Sequence, residues 1–183
     1  RSWRNLVTNG GASTVLASDV FAYDVTGNIT NRATIGNYSY NQGNPALLVT
    51  AGGTTHYWDN AGNLTNRMGD AVPGTSQTFS YDALNMPYSV EDGSGMATEF
   101  DYDASGARVM KRMRSVGALV ASTLDIAELY QLAKDYDPNS SEVTSKKHHY
   151  RVFANGKQIA EIVKSQATDG SITESKTTYL HQI

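Results

Sequence analysis

Apolar and polar positions alternate along most of the chain in short runs, broken at close intervals by Asp, Asn and Gly. Phe21-Ala22-Tyr23, His56-Tyr57-Trp58, Phe79-Ser80-Tyr81 and Phe100-Asp101-Tyr102 each place ring side chains two positions apart, and a period of two puts them on one face of a strand. An Asp follows each run directly, at Asp24, Asp59, Asp82 and Asp103, and three residues further stand Gly27, Gly62, Asn85 and Gly106. The frame is aromatic-x-aromatic-Asp-x-x-Gly/Asn, with His56 in the first ring position of its copy. Tyr38-Ser39-Tyr40-Asn41 is a degenerate copy; once it is counted, the frame recurs at roughly twenty residues with loops of variable length.

Each part of the frame has a physical role. Asp at a strand end is favoured as the first residue of a type I turn, because its carboxylate accepts a hydrogen bond from the backbone N–H two residues on. Gly three residues later suits the left-handed position of a G1-bulge hairpin, and Asn tolerates that position next best. Ile29, Leu64 or Val109 then opens the returning strand. The frame therefore predicts consecutive antiparallel β-hairpins with φ > 0 at Gly27, Gly62, Asn85 and Gly106, their aromatic sides facing a shared interior. Single hairpins are marginal, so the repeats are expected to stack into one curved sheet in an all-β fold.

Composition agrees. Charged residues make up 18% of the 183, whereas Tyr contributes 11 and Gly 16, which suits strands and turns. Lys and Arg number 15 against 18 Asp and Glu, a net charge of −3 that argues against nucleic acid as a partner. With no cysteine, disulfides, thiolate metal sites and thiol nucleophiles are excluded. No apolar run approaches the ~20 residues of a membrane helix. The opening Arg1-Ser2-Trp3-Arg4 and the strand-like pattern at Leu180-His181-Gln182-Ile183 read as a piece of something longer.

Tyr23-Asp24-x-x-Gly27-Asn28, Trp58-Asp59-x-x-Gly62-Asn63 and Tyr102-Asp103-x-x-Gly106 resemble the tyrosine-aspartate (YD) repeats of Rhs-type proteins, whose relatives include toxin-complex C components, wall-associated proteins and teneurins. The stretch from Tyr38 to Gly53 is similar to a variant repeat of such arrays. Tyr150 to Ala160 and Thr178 to Gln182 are similar to the segment leading into the Rhs core, and Ile183 stands where that core's first Asp would be. The resemblance covers about residues 19–183. It implies a section of a spiralling β-shell that encloses a C-terminal toxin or effector, with the remaining repeats and that polypeptide as partners, and a secreted or cell-surface location. The downstream self-cleaving core lies outside this stretch, so neither cleavage nor toxin activity carries over.

On this reading 1–183 is a single YD/Rhs-repeat region, with repeats near 19–37, 38–55, 56–78, 79–99 and 100–123 and C-terminal hairpins over 124–183. Residues 111–123 continue the strand leaving the hairpin before them. Propensity alone makes Leu124 to Lys134 a helix with Leu129, Leu132 and Tyr136 on one face, and the resemblance makes it a strand; the strand is preferred and the helix stays open. Pro138 to Ser141 reads as a turn, Asn155-Gly156 as a type I′ hairpin and 165–175 as an exposed hairpin loop.

Candidate chemistry is sparse. Arg108, Arg112 and Arg114 share an alternation, most simply a solvated face paired with carboxylates. Adjacent His148 and His149, with Glu142 near, point to opposite strand faces and make a poor ion site. Asp101 and Asp103 flank Tyr102 as an acid/base pair would, but Asp103 belongs to the turn. No catalytic residue, metal or cofactor is therefore expected. The alternative to a shell is a carbohydrate-binding or adhesion module in which Phe21, Tyr23, Tyr38, Tyr40, Tyr57, Trp58, Phe79, Tyr81, Phe100 and Tyr102 stack on a glycan. Burial of those rings favours the shell, and a solvent-open groove favours the glycan. Unpaired strand edges predict self-association or pairing with further repeats.

Overall fold

The computed structural model describes residues 2–9 and 12–180, with side chains described from Asp19 onward. The resemblance at His181 and Gln182 and the reading of Ile183 lie outside the described residues. Apart from a 3-10 turn at Pro73–Thr75, every regular element among the described residues is a strand, and every registered pair is antiparallel. The fold is all-β.

The chain divides into two compact units, residues 1–78 and 79–183. The first contains β1 (Ser2–Asn9), β2 (Ala12–Tyr23), β3 (Ile29–Arg32), β4 (Gly36–Tyr40), β5 (Leu48–Ala51), β6 (Thr54–Trp58), β7 (Leu64–Met68) and the start of β8 (Ser76–Tyr81). The second contains the end of β8, then β9 (Pro87–Asp92), β10 (Met96–Tyr102), β11 (Arg108–Ser115), β12 (Ala118–Ile126), β13 (Tyr130–Tyr136), β14 (Val143–Ala154), β15 (Lys157–Gln166) and β16 (Ile172–Tyr179). Within each unit a strand's neighbours in the sheet are its neighbours in sequence. This is what a chain of hairpins with short turns must produce.

The segment that propensity favours as helix is a hairpin. β12 and β13 pair from Ala121↔Asp135 to Ile126↔Tyr130, and every residue of Leu124 to Ile126 and Tyr130 to Lys134 sits in that ladder. Alternating pairing on both sides, with β11 and β14, overrides the helical preference of so short a stretch. The turn is made by Ala127 and Glu128 at φ of 46° and 60°, a conformation that neither residue type advertises. Residues 111–123 are likewise two strands, reversed at Val116-Gly117 with φ of 50° and 84° between the pair Ser115↔Ala118. Asn155-Gly156 takes the expected type I′ geometry, φ 50° and 73°, inside Ala154↔Lys157. The exposed loop read at 165–175 is shorter, because β15 runs to Gln166 and β16 begins at Ile172.

Burial is shallow. Among the described residues the buried apolar side chains are Val72 and Ala160, and the buried charged one is Asp19, 2% exposed. The other described strand residues are half-buried or exposed. Asp19 is held by Arg32, whose guanidinium also lies 5.3 Å from the centre of the Phe21 ring, and by the Thr34 hydroxyl at 2.9 Å. Burial works against its ionisation, yet the bonds from Arg32 and Thr34 prevail and its pKa lies below the ordinary value.

At the turns remote from the Asp residues, backbones meet directly. A Cβ at Gly52 would overlap the carbonyl oxygen of Ile35, and one at Gly69 would overlap that of Gly53. These glycines are fixed by proximity as well as by φ of 57° and 152°.

Candidate functional site

The repeat residues form one turn, built several times over. In the turn at Asp24, the carboxylate Oδ1 accepts the N–H of Thr26 and of Asn28, both at 2.9 Å. Asp24 N–H donates to the Asn28 carbonyl at 2.9 Å and Gly27 N–H to the Asp24 carbonyl at 3.2 Å, which is the G1-bulge arrangement. Asp59 repeats it with the N–H groups of Ala61 at 2.9 Å and Asn63 at 2.8 Å, Asp82 with Leu84 at 2.8 Å and Met86 at 2.9 Å, and Asp103 with Ser105 at 2.8 Å and Ala107 at 3.0 Å. The residue three after each Asp has the left-handed backbone its type implies: Gly27 93°, Gly62 86°, Asn85 59° and Gly106 82°. A single carboxylate oxygen thus satisfies two N–H groups that the tight turn leaves unpaired.

A further copy escaped the aromatic frame. Asp92 accepts from Ser94 N–H at 2.9 Å and Met96 N–H at 3.0 Å, with Gly95 at φ 85°. Its Asp-x-x-Gly spacing is readable, but Ser89 and Glu91 stand at the two positions where the other turns carry ring side chains. At the degenerate copy, Asn41 Oδ1 accepts from Gly43 at 2.8 Å and Asn44 at 3.0 Å, so an amide stands in for the carboxylate and the loop to Leu47 is longer.

Ionisation follows the bonding. Asp24 is held below its usual pKa by the Thr26 hydroxyl first, Asp59 by the Asn63 side-chain amide first, and Asp92 and Asp103 by the hydroxyls of Ser94 and Ser105 first. The hydroxyl of Ser105 approaches Asp103 to 2.6 Å.

The ring directly before the turn residue does something the sequence did not reveal. Tyr40 donates its hydroxyl to the carbonyl of Ile29 at 3.0 Å, Trp58 its indole N–H to that of Leu48 at 2.7 Å, and Tyr102 its hydroxyl to that of Pro87 at 2.8 Å. Ile29, Leu48 and Pro87 are the first residues of β3, β5 and β9, each the strand alongside. In all three places the backbone ladder has already stopped, at Asn31↔Asn37, Thr50↔Thr55 and Ser89↔Glu99. The aromatic tip supplies the donor that continued pairing would have supplied, and so fastens one hairpin to the one before it. A register shift falls at the same ring, between Ser39 and Tyr40, Tyr57 and Trp58, and Asp101 and Tyr102.

The repeat rings differ in exposure. Phe21, Tyr38, Tyr40, Trp58, Phe79, Tyr81, Phe100 and Tyr102 are half-buried. Tyr23 is 44% exposed, its ring 6.4 Å from that of Phe21, and Tyr57, on the opposite face from His56 and Trp58, is 49% exposed. None is enclosed in a core. Met86, Tyr88, Phe100 and Tyr102, with Asp82 and Asp103, line an open hollow of about 380 Å³ beside two of the turns.

The other candidate groups are engaged in lateral pairs. Asp101 receives both terminal nitrogens of Arg112, at 2.7 and 3.0 Å, while Glu99 receives Arg112 Nε at 3.1 Å and Arg114 Nε at 2.9 Å. Arg108 lies 3.7 Å from Asp125. The arginine alternation is therefore a row of cross-strand ion pairs, and the Asp101/Asp103 couple is divided between a guanidinium and a turn. His148 Nδ1 meets the Tyr130 hydroxyl at 2.7 Å, whereas His149 Nδ1 meets Glu161 at 3.1 Å on the other face. His56 takes a half-buried ring position, and burial pushes its pKa down.

No protein-family model and no curated protein matches the chain. Among solved structures, it is similar over 97% of its length to a chain in the crystal structure of TcdB2-TccC3-Cdc42, at 10% identity and a TM-score of 0.38. It is similar over 88% of its length to a chain in the crystal structure of TcdB2-TccC3, at 12% identity and a TM-score of 0.36. The chain spans 11% and 10% of the length of those two chains. What the chain itself shows is the Tyr/Trp-Asp-x-x-Gly/Asn turn, repeated with one set of hydrogen bonds.

Proposed function

We propose that this chain is a non-catalytic structural section of an Rhs/YD-repeat β-shell, whose role is to enclose and help deliver a toxin or effector polypeptide encoded with it, and that it acts outside the producing cell. The observation that supports the reading is the use made of the repeat residues. The turn carboxylates are consumed by backbone N–H groups, and the tips of Tyr40, Trp58 and Tyr102 are consumed by carbonyls of the adjoining strand. Side chains so committed build a wall and leave little free for catalysis or for a sugar's hydroxyls. Among the described residues no helix is long and apolar enough to cross a membrane.

Protease protection tests containment. In the protein expressed from its whole reading frame, an enclosed polypeptide should resist protease until urea opens the wall; digestion at the same rate with and without urea would overturn containment. The glycan reading is tested on the 183-residue chain. Of its two tryptophans, Trp3 is replaced by Phe so that Trp58 alone reports. Acrylamide quenching of Trp58 should be unchanged across a panel of mono- and disaccharides, and protection by one sugar would replace the structural reading with a binding one.

A further inference from the structure

One row of side chains crosses six strands on a single face of the second unit: Glu99, Arg112, Ser122, Lys134, Lys146 and Gln166, each directly opposite the next. At its β10–β11 end cations and carboxylates are matched, because Glu99 and Asp101 take up Arg112 and Arg114. At its β13–β15 end they are not. Lys134 faces Lys146 across the ladder, and Lys164, opposite His148 in the adjoining row, adds a third ammonium, 5.8 Å from the centre of the Tyr150 ring. None of the three makes an ion pair among the described residues. Glu99, the carboxylate of the row, stands three strands from Lys134, about 14 Å away. Like charges directly opposite one another destabilise a sheet, so folding gives no reason for Lys134 and Lys146 to meet.

We propose that the face carrying Lys134, Lys146 and Lys164 is a docking surface for an acidic segment of polypeptide, whose carboxylates supply the counter-charge the sheet lacks. Three ammonium groups on three neighbouring strands lie within about 10 Å of one another across the sheet. That spread matches two or three carboxylates of an extended segment, whose alternate side chains stand about 7 Å apart on one side. A long and densely charged polyanion fits less well, because it would overrun the patch onto a chain whose net charge is −3. Lysine suits a contact made and broken again, since its hydrated ammonium on a flexible stem binds without the fixed fork of arginine. Each of the three strands is paired on both sides, so the surface is a face of the sheet and owes nothing to an edge. The inference is independent of the shell reading, since it uses no residue of the repeat turns.

Fluorescence anisotropy on the 183-residue chain at low salt tests it, with a labelled decapeptide of alternating Glu and Thr as the probe and the same peptide with Gln for Glu as its control. The Glu peptide should bind and the Gln peptide should not, and added salt should weaken the binding. The double variant K134Q/K146Q should bind about tenfold more weakly, with circular dichroism unchanged. Lys147→Gln should bind as the wild type does, because Lys147, opposite Ala133 and Ser165, lies on the other face. The urea midpoint of K134Q/K146Q should rise, since the substitution relieves a repulsion. Equal binding of the two peptides, or no binding of either, overturns the proposal. So does a loss at Lys147→Gln as large as that of the double variant, or a fall in the double variant's urea midpoint, which would give the lysines a role in the fold. A heparin fragment or single-stranded DNA that binds this face more tightly than the Glu peptide would assign it to another class of polyanion, which also overturns it.

Discussion

The hydroxyl of Tyr102 reaches the carbonyl of Pro87 at 2.8 Å, just past Ser89↔Glu99, the last backbone pair between their strands. A side chain here does the work of a peptide N–H. The same relationship joins Tyr40 to Ile29 and Trp58 to Leu48, so in these three copies an aromatic ring that ends in a donor stands where two hairpins would otherwise part. Phe cannot fill that place, and Phe occupies only the earlier ring position, at Phe21, Phe79 and Phe100.

Tyr102→Phe should therefore lower stability by about 1 kcal/mol, the net worth of a typical hydrogen bond whose acceptor is left half-buried. Phe100→Tyr, which adds a hydroxyl at the other ring position, should give no comparable gain. Urea unfolding followed by circular dichroism compares the two, and equal effects would remove the distinction between the ring positions.

Gly62 and Gly52 separate two costs. A Cβ at Gly62 meets nothing within 4 Å, so Gly62→Ala should cost only the left-handed strain at φ 86°, about 1 kcal/mol. Gly62→Val should cost more, because its β-branch further restricts that backbone. Gly52→Ala adds an overlap with the Ile35 carbonyl oxygen and should be worse than Gly62→Ala despite the smaller φ of 57°. The order of urea midpoints is the measurement.

The turn carboxylates make stability depend on acid. Asp24, Asp59, Asp92 and Asp103 have folded-state pKa values below the unfolded 3.8. With a depressed folded value, the unfolded chain binds protons first as the pH falls. The contribution is complete above the unfolded value and is lost as the pH falls through the depressed one. Urea midpoints should hold steady down to about pH 5 and then drop through the carboxylate range. Ser105→Ala should move the Asp103 carboxyl back towards its ordinary value, seen by carbon NMR titration, and leave Asp59 unmoved.

Arg112, on β11, ties Glu99 to Asp101, both on β10, and the three side chains stay 30% to 49% exposed. Arg112→Ala should cost no more than about 1 kcal/mol, and the loss should shrink in high salt. Arg112→Lys should recover only part of it, since an ammonium cannot bond both carboxylates in the forked way a guanidinium does.

The Asp turns and the Asn155-Gly156 hairpin were legible because their residues are chosen for backbone reasons that hold anywhere. The turn at Ala127-Glu128 was not, because nothing in either side chain favours φ > 0; the ladder on both sides imposes it. Asp92 lacks a flag for the opposite reason: its turn is local and ordinary, but Ser89 and Glu91 occupy the positions that carry rings before the other turns. The bonds from Tyr40, Trp58 and Tyr102 depend on where an adjacent ladder stops, which is a property of two hairpins together and is not carried by either one's residues.

The agreement between strand order and chain order has a consequence for how such a protein is made and altered. A strand that needs only its predecessor can settle as soon as it leaves the ribosome, without waiting for distant sequence. A hairpin can also be duplicated or dropped during evolution, because the strands on either side of the change present the same turn and the same ring-to-carbonyl bond to whichever neighbour arrives.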